Sequence, residues 1–479
     1  MNMDTDIRAT QNILLPPDPE RIMEGLRDTG YNFNTSIADI VDNSIAADAD
    51  KIDITIDFNP HKDLTIYIAD NGTGMNYDGL QNAMRYGSRK RSDHGSLGKF
   101  GLGLKTGSTA FCRCLSVISR GKEDDTVRKA QWDLDYIAQT NGWNLKMQTP
   151  SEDEIDLLDM TADGSSGTLV VWEKVDRLLK NYNNKSSANV ALKKTVDGLA
   201  FHLSMVYQRF LDSADDRARN ISITLNGVGI QPWDPFCVDE PQTEKLVDEF
   251  VEVELPDGTV SGFTIRAYLL PRRDDFASVT ARSAAKLSND MQGFYVYREN
   301  RLIHSNDWLG MFSREPHFSL LRAEFSFVYT LDDVFNVDIK KSRILLNEEI
   351  FTYVKDQIMP APRRAAEERY RKGTSKGVQA KARDVHATSN RNIEDKAKSV
   401  EESSVVVTPE GKVQISNKNG TFENQQISIR TSSKQGQYRV IPVSSLENGM
   451  LWNPCIVNGK HAVEINQSHP YYQKIYFPI

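Results

Sequence analysis

The chain has 479 residues, a formal net charge of −8 and four cysteines. That length exceeds one ordinary core and predicts two or three domains. The acidic balance excludes a generally basic nucleic-acid coat, and no run of about eighteen apolar residues offers a membrane span. Cys112, Cys114, Cys237 and Cys455 form no paired metal-ligand set. With a polar start, Met1 to Asp6, in place of a signal peptide, the expected setting is cytoplasmic and reducing, with no membrane association.

In chain order, the first predicted element is a helix over 34–46. Ile37, Ile40, Val41 and Ile45 fall on one side of it at about 100° per residue, and Asp39 and Asn43 lie together on the other. Two alternating runs follow, Ile52/Ile54/Ile56 and Leu64/Ile66/Ile68, which read as half-buried strands. The second ends at Asp70, where Gly72 and Gly74 make a turn before Met75. A loop rich in Gly, Arg and Lys covers 87–103, with a helix starting near Thr106. Strands through Leu115 to Ser119 and Gly167 to Trp172 close a first unit near residue 180.

A helix from Val196 to Phe210 leads into strand-like segments at Ile221 to Leu225, Gly262 to Tyr268 and Gly293 to Tyr297. A second unit ends with Asn336 to Lys341 and a helix from Asn347 to Ile358. This order predicts an α+β class, not a regular βαβ repeat. Between 360 and 400 there are eleven Lys or Arg against five Asp or Glu, which predicts a solvated helix and polar linker, with a nucleic-acid contact as the sharper alternative. Beyond it, Asn458-Gly459 between apolar runs predicts a hairpin and a small β-rich unit. The expected boundaries are 1–185, 186–360, 361–425 and 426–479.

Three patterns between Asp39 and Gly107 carry chemistry. Asp39 and Asn43, one helical turn apart, offer a proton acceptor and a metal-ligating oxygen, although alone they read as an ordinary solvated face. Asp70 ahead of Gly72 and Gly74 offers a carboxylate to an exocyclic amine, although Asp-Asn-Gly is also a plain turn. Gly98, Gly101 and Gly103, with Lys99 and Lys105, form a glycine-rich anion loop ahead of a helix. It matches neither a Walker A loop nor GxGxxG. Together the three supply what an ATP site requires.

In their order these residues resemble the GHKL superfamily of gyrase B subunits, ninety-kilodalton heat-shock chaperones, histidine kinases and MutL. Ala38 to Ser44 resembles its magnesium box, Asp70 to Gly74 its adenine box, Gly98 to Gly107 the glycine box of its ATP lid, and Ser166-Gly167-Thr168 its last motif. The resemblance implies a Bergerat-type ATP-binding α/β sandwich, with helices on one face of an open mixed sheet. It implies Asn43 for Mg2+, Asp70 with Gly72, Gly74 and Met75 for adenine, and Thr168 for adenine through water. The segment Gly98, Lys99, Phe100, Gly101, Leu102, Gly103, Leu104 and Lys105 is implied for phosphates. Where the family has a glutamate as general base this chain has Asp39, one methylene shorter, which implies slow turnover with binding retained.

Residues from about 220 to 358 are similar to the transducer domain of gyrase, MutL and microrchidia-type (MORC) ATPases, and Phe294 to Ile303 looks like a strand-turn-strand of MORC-like and prokaryotic heat-shock-type ATPases. The resemblance implies a lysine that reaches the γ-phosphate, with Lys341 favoured over Lys340. The expected function is a Mg-dependent ATPase that dimerises on ATP binding, a clamp in DNA processing or defence, with nucleic acid and a nuclease or other protein as partners. The alternatives are a chaperone-like ATPase acting on protein clients and an ATP-binding module with little turnover. Residues 1–38 contain no histidine, against a histidine kinase. No DNA-cleaving tyrosine domain or MutL-type nuclease motif is recognisable.

Overall fold

The computed structural model describes residues 15, 17–28, 30–59, 63–87, 103–179, 185–255, 257–335 and 346–371, and, further on, 404–407, 413–417, 420–424, 430–431, 440–446, 450–457 and 460–472. The first region runs α1 (Pro19–Arg27), α2 (Phe33–Ala46), β1 (Lys51–Phe58), β2 (Leu64–Asp70), α3 (Tyr77–Met84), α4 (Gly103–Thr109), β3 (Cys112–Gly121), β4 (Asp124–Asp133), α5 (Leu134–Thr140), β5 (Lys146–Gln148), α6 (Glu152–Ala162), β6 (Gly167–Val175), α7 (Lys185–Val206), α8 (Gln208–Leu211), β7 (Ser222–Leu225) and β8 (Val228–Gly229). Its strands form one mixed sheet in the order β5-β4-β3-β6-β2-β1-β7-β8.

Period-two alternation divides the sheet's two faces. Ile52, Ile54 and Ile56 of β1, Ile66 and Ile68 of β2, Leu115 and Val117 of β3, and Val170 and Trp172 of β6 enter one core together with Ile37, Ile40 and Val41 of α2 and Leu199 and Leu203 of α7. The intervening Ala69, Ile118, Leu169 and Val171 turn the other way, onto Leu158 and Ala162 of α6. Each fully buried Ile, Leu or Val contributes about 1.5–3 kcal/mol, so both layers hold the sheet. The family-implied picture of helices on one face is corrected by α6 on the second.

The first sheet does not close near residue 180. Strand β7, grouped by the sequence reading with the second region, pairs parallel to β1, with Ile52 opposite Ile223 and Ile54 opposite Leu225. A parallel neighbour needs a long crossover, and α7, with 22 residues, provides one about 33 Å long at 1.5 Å per residue.

The second sheet contains β9 (Glu244–Glu254), β10 (Val260–Leu269), β11 (Gly293–Arg298), β12 (Arg301–Asp307) and β13 (Leu321–Phe327), in the order β12-β11-β13-β10-β9. A short helix α9 (Val279–Ala284) precedes β11. Glu299 and Asn300, at φ 49° and 65°, form the two-residue turn between β11 and β12. Helix α10 (Glu348–Tyr353) passes into a π-type turn (Val354–Ile358), and Ile350, Val354 and Ile358 join the second core. The expected strand from Asn336 to Lys341 lies outside the described residues, as do both candidate lysines, Lys340 and Lys341.

The chain divides into two units, Met1–Glu367 and Glu368–Ile479. Residues 360–371 are helical, as expected of the linker region. Part of that expected linker is instead an antiparallel meander of β14 (Ser404–Val407), β15 (Val413–Asn417) and β16 (Gly420–Asn424), whose register aligns Val405 with Ile415 and Ile415 with Phe422. Such short strands are diluted in a composition average over the mostly polar segment 361–425. The final sheet, β17 (Arg430–Thr431), β18 (Val440–Val443), β19 (Trp452–Val457) and β20 (Lys460–Asn466), has the order β17-β19-β20-β18. In it β19 and β20 are antiparallel, with Val457 opposite Lys460, while the expected turn residues Asn458 and Gly459 lie outside the described residues. Among the described residues, no helix is long and apolar enough to cross a membrane.

Candidate functional site

Helix α2 supplies the first part of the site. Asn32 caps it, its side chain accepting from the Asn34 N–H at 2.9 Å. The apolar stripe pins the helix to the first core, which leaves Asp39 and Asn43 half-buried, one turn apart on the opposite side. The Asn43 Nδ2 donates to the Asp39 carbonyl at 2.8 Å, which fixes the amide's orientation. Against this face stands the start of α4. A Cβ at Gly103 would lie 2.8 Å from Asp39 Oδ2 and 3.1 Å from its Cγ, so a side chain there would have to push the carboxylate aside.

The second part is built around Asp70, where β2 ends between β1 and β6. Asp70 is 5 % exposed. It accepts from the Ser44 hydroxyl at 2.7 Å and from the Gly72 N–H at 3.0 Å, and a backbone bond from Thr168 adds to these. Burial pushes its carboxyl above the usual carboxylate range, against the lowering effect of Ser44, Gly72 and Thr168.

Thr168 faces Asp70 across the β2–β6 ladder, with its hydroxyl 3.0 Å from that of Ser119. Ser119 donates to the Gly167 carbonyl at 2.9 Å and accepts from the Met75 N–H at 2.9 Å. With the Ser119 proton on Gly167, the Thr168 hydroxyl is the donor of their pair. The Asp70-to-Met75 turn is held closely against β3. Gly74 sits at φ +60°, and a Cβ there would lie 1.8 Å from the Arg120 carbonyl oxygen.

The expected site residues thus fall into two clusters joined by one helix: Asp39, Asn43 and Gly103 on its outer side, and Asp70, Gly72, Gly74, Met75 and Thr168 reached from it through Ser44. Gly98, Lys99, Phe100, Gly101 and Leu102 lie outside the described residues. Leu104 packs against the first core.

Lys105, in α4, reaches back to α3. It is 1 % exposed, and its ammonium donates to the Ala83 carbonyl at 2.7 Å, in the last turn of α3. A helix C-terminus presents unpaired carbonyls and a partial negative charge, which suits a buried cation. In this arrangement Lys105 ties α4 to α3.

Sequence reasoning missed Ser44 and Ser119, whose signal was slight: a hydroxyl directly after the Asn43 position, and a polar residue at a buried strand position. It also missed a buried group beside α2. Tyr207, between α7 and α8, places its hydroxyl 2.6 Å from the Ala38 carbonyl and 2.8 Å from Asp42 Oδ1. Arg301, which opens β12 of the second sheet, donates through Nε to the same carboxylate oxygen at 3.1 Å. Burial works against the Arg301 charge, but Asp42, with Tyr207 and Asp39 behind it, raises its pKa above the ordinary value. Among the described residues no group of three or more His, Cys, Asp or Glu could hold a metal ion.

Residues 31–168 match the family model described as histidine kinase-, DNA gyrase B- and HSP90-like ATPase. No curated protein matches the sequence. Among solved structures, a crystal structure of the N-terminal domain of a DNA repair protein aligns at 16 % identity, covering 74 % of this chain and 98 % of that one, with a TM-score of 0.42. Both clusters up to Thr168 lie inside the matched segment, and over residues 31–168 the chain carries a GHKL-type ATPase domain of the histidine kinase, DNA gyrase B and HSP90-like family.

Proposed function

We propose that the chain is a Mg-dependent ATP-binding and hydrolysing switch, with Asp70 selecting adenine and Asp39 serving the attacking water. The observation that carries this reading is the pairing of a buried, hydrogen-bonded carboxylate at Asp70 with the Asp39 and Asn43 face of α2, bridged by the Ser44 contact, within the family-matched segment. A buried carboxylate whose oxygens already take N–H and O–H donors is suited to one more donor, the exocyclic amine of adenine. Thr168, held by Ser119, offers a hydroxyl beside it.

The residues fit a magnesium ion. Asn43 is held through its amide nitrogen, and its carboxamide oxygen is a hard donor of the kind Mg2+ takes when nucleotide phosphates and waters supply the remaining ligands. Bound there, the ion would neutralise charge across the phosphates. Asp39 accepts a proton from the water or orients it. Its carboxylate, one methylene short of the family's glutamate, makes hydrolysis slow, since a misplacement of about 1 Å costs about 10²-fold. The same observation supports the second reading, an ATP-binding module with little turnover.

Closure as an ATP-dependent dimer around nucleic acid, with a nuclease or other protein as partner, is the wider form of the proposal. It is supported by the basic tract between Arg363 and Lys398, whose phosphate contacts would weaken steeply with salt. Phosphate release measured with Mg2+, and with Mg2+ chelated, tests the ATPase. Light scattering with a non-hydrolysable ATP analogue tests the dimer, and a particle that stays monomeric removes the clamp.

A further inference from the structure

The buried charges of Asp42 and Arg301 call for an explanation other than stability. Asp42 and Arg301 are 1 % and 4 % exposed, and Tyr207 is fully buried. A buried ion pair is often no better for stability than apolar side chains of the same volume. What this one does is mechanical. Asp42 follows Asp39 by three residues and immediately precedes Asn43, so Tyr207, in reach of both the Ala38 carbonyl and Asp42, grips the single turn of α2 that carries both candidate site residues. Arg301 grips the same turn from a strand of the second sheet, 259 residues further along the chain. A second bond, from Arg301 Nη1 to the Leu302 carbonyl at 3.0 Å, ties the guanidinium to β12 itself.

We propose that Tyr207 and Arg301 are positioning residues for Asp39, so that hydrolysis at the first sheet depends on a side chain delivered by the second. This rests on the ATPase reading above. The proposed adenine contacts, Asp70 and Thr168, lie outside the gripped turn, so nucleotide affinity depends on the grip less than the rate does. Displacing Asp39 by about 1 Å is enough to lower the rate about 10²-fold.

The test uses the full chain and begins with wild-type turnover. Tyr207→Phe removes one hydroxyl and leaves the ring in the core and the Asp42–Arg301 pair intact. The expected result is kcat lower by about 10- to 100-fold, with KM and the analogue's Kd within about twofold of wild type. Arg301→Lys, which keeps the charge, should recover part of the rate that Arg301→Met loses. An unchanged kcat in Tyr207→Phe overturns the proposal. So does a fall in kcat matched by an equal loss of nucleotide binding and of folded protein by circular dichroism, which marks a purely structural role. Absence of wild-type turnover overturns the ATPase reading and this proposal together, whereas turnover in wild type with an unaffected Tyr207→Phe overturns the positioning alone.

Discussion

Replacing Asp70 by Asn separates what this residue does for the fold from what it does for a nucleotide. The change is isosteric, and the new amide can be satisfied: Nδ2 donates to Ser44, which rotates to accept, while Oδ1 keeps the Gly72 N–H. The change replaces the carboxylate oxygen beside Ser44 and removes the charge proposed to accept from adenine. A hydrogen bond to a charged group is worth about 1.5–3 kcal/mol, and about 1.4 kcal/mol is tenfold in Kd, so ATP should bind roughly 10- to 150-fold more weakly. The fold should respond in the opposite direction. Burial raises the native pKa of Asp70 above its unfolded value, so the stability tied to this group is fully present below the unfolded pKa, about 3.9, and is lost as pH rises through the native one. Burying the ionised carboxylate is therefore a net cost, and at pH 7 the nucleotide-free variant should be at least as stable as wild type. Titration calorimetry with an ATP analogue and urea denaturation at pH 7 read the two effects. Wild-type affinity in the variant refutes the adenine assignment, and a loss of more than about 1 kcal/mol of stability refutes the electrostatic argument, since a satisfied amide should incur no such penalty.

Gly74→Ala forces a side chain into a left-handed backbone and onto the Arg120 carbonyl. Strain of about 1–3 kcal/mol plus the displaced turn should lower the urea midpoint and weaken ATP binding together, and a variant with wild-type values in both measurements would show that the turn is not held as described. His202 has its pKa lowered to about 4 by burial and by the neighbouring Arg301 charge, partly offset by Asp42. With the native pKa below the unfolded one, the unfolded chain takes up more protons between pH 6.5 and 4, so stability should fall as pH drops through that window, by up to about 3 kcal/mol. His202→Gln should flatten that slope in urea titrations, and an unaltered slope would assign it to other groups.

The local parts of the site were legible because their signals are local. The helix over α2 follows from Ile37, Ile40, Val41 and Ile45, and the turn after Asp70 from Gly72 and Gly74. The placement of β7 beside β1 was not, since pairing across a 22-residue helix leaves no periodic mark. Arg301 lies 259 residues from Asp42, and nothing in a turn-flanking arginine indicates a partner at that distance. Lys105 carries two chemistries: a lysine in a glycine-rich segment ahead of a helix suits a phosphate and the carbonyls of a neighbouring helix end equally, and its sequence position gives no sign of the bond it makes to the Ala83 carbonyl.

In the proposed mechanism Asp39 serves the water while binding rests elsewhere. Asp39→Asn keeps size and polarity and removes the basic carboxylate. Phosphate release at saturating Mg-ATP, measured beside analogue affinity on the same preparation, separates the two roles. Affinity within about twofold of wild type with phosphate release reduced to background is the predicted result, and turnover equal to wild type would contradict it.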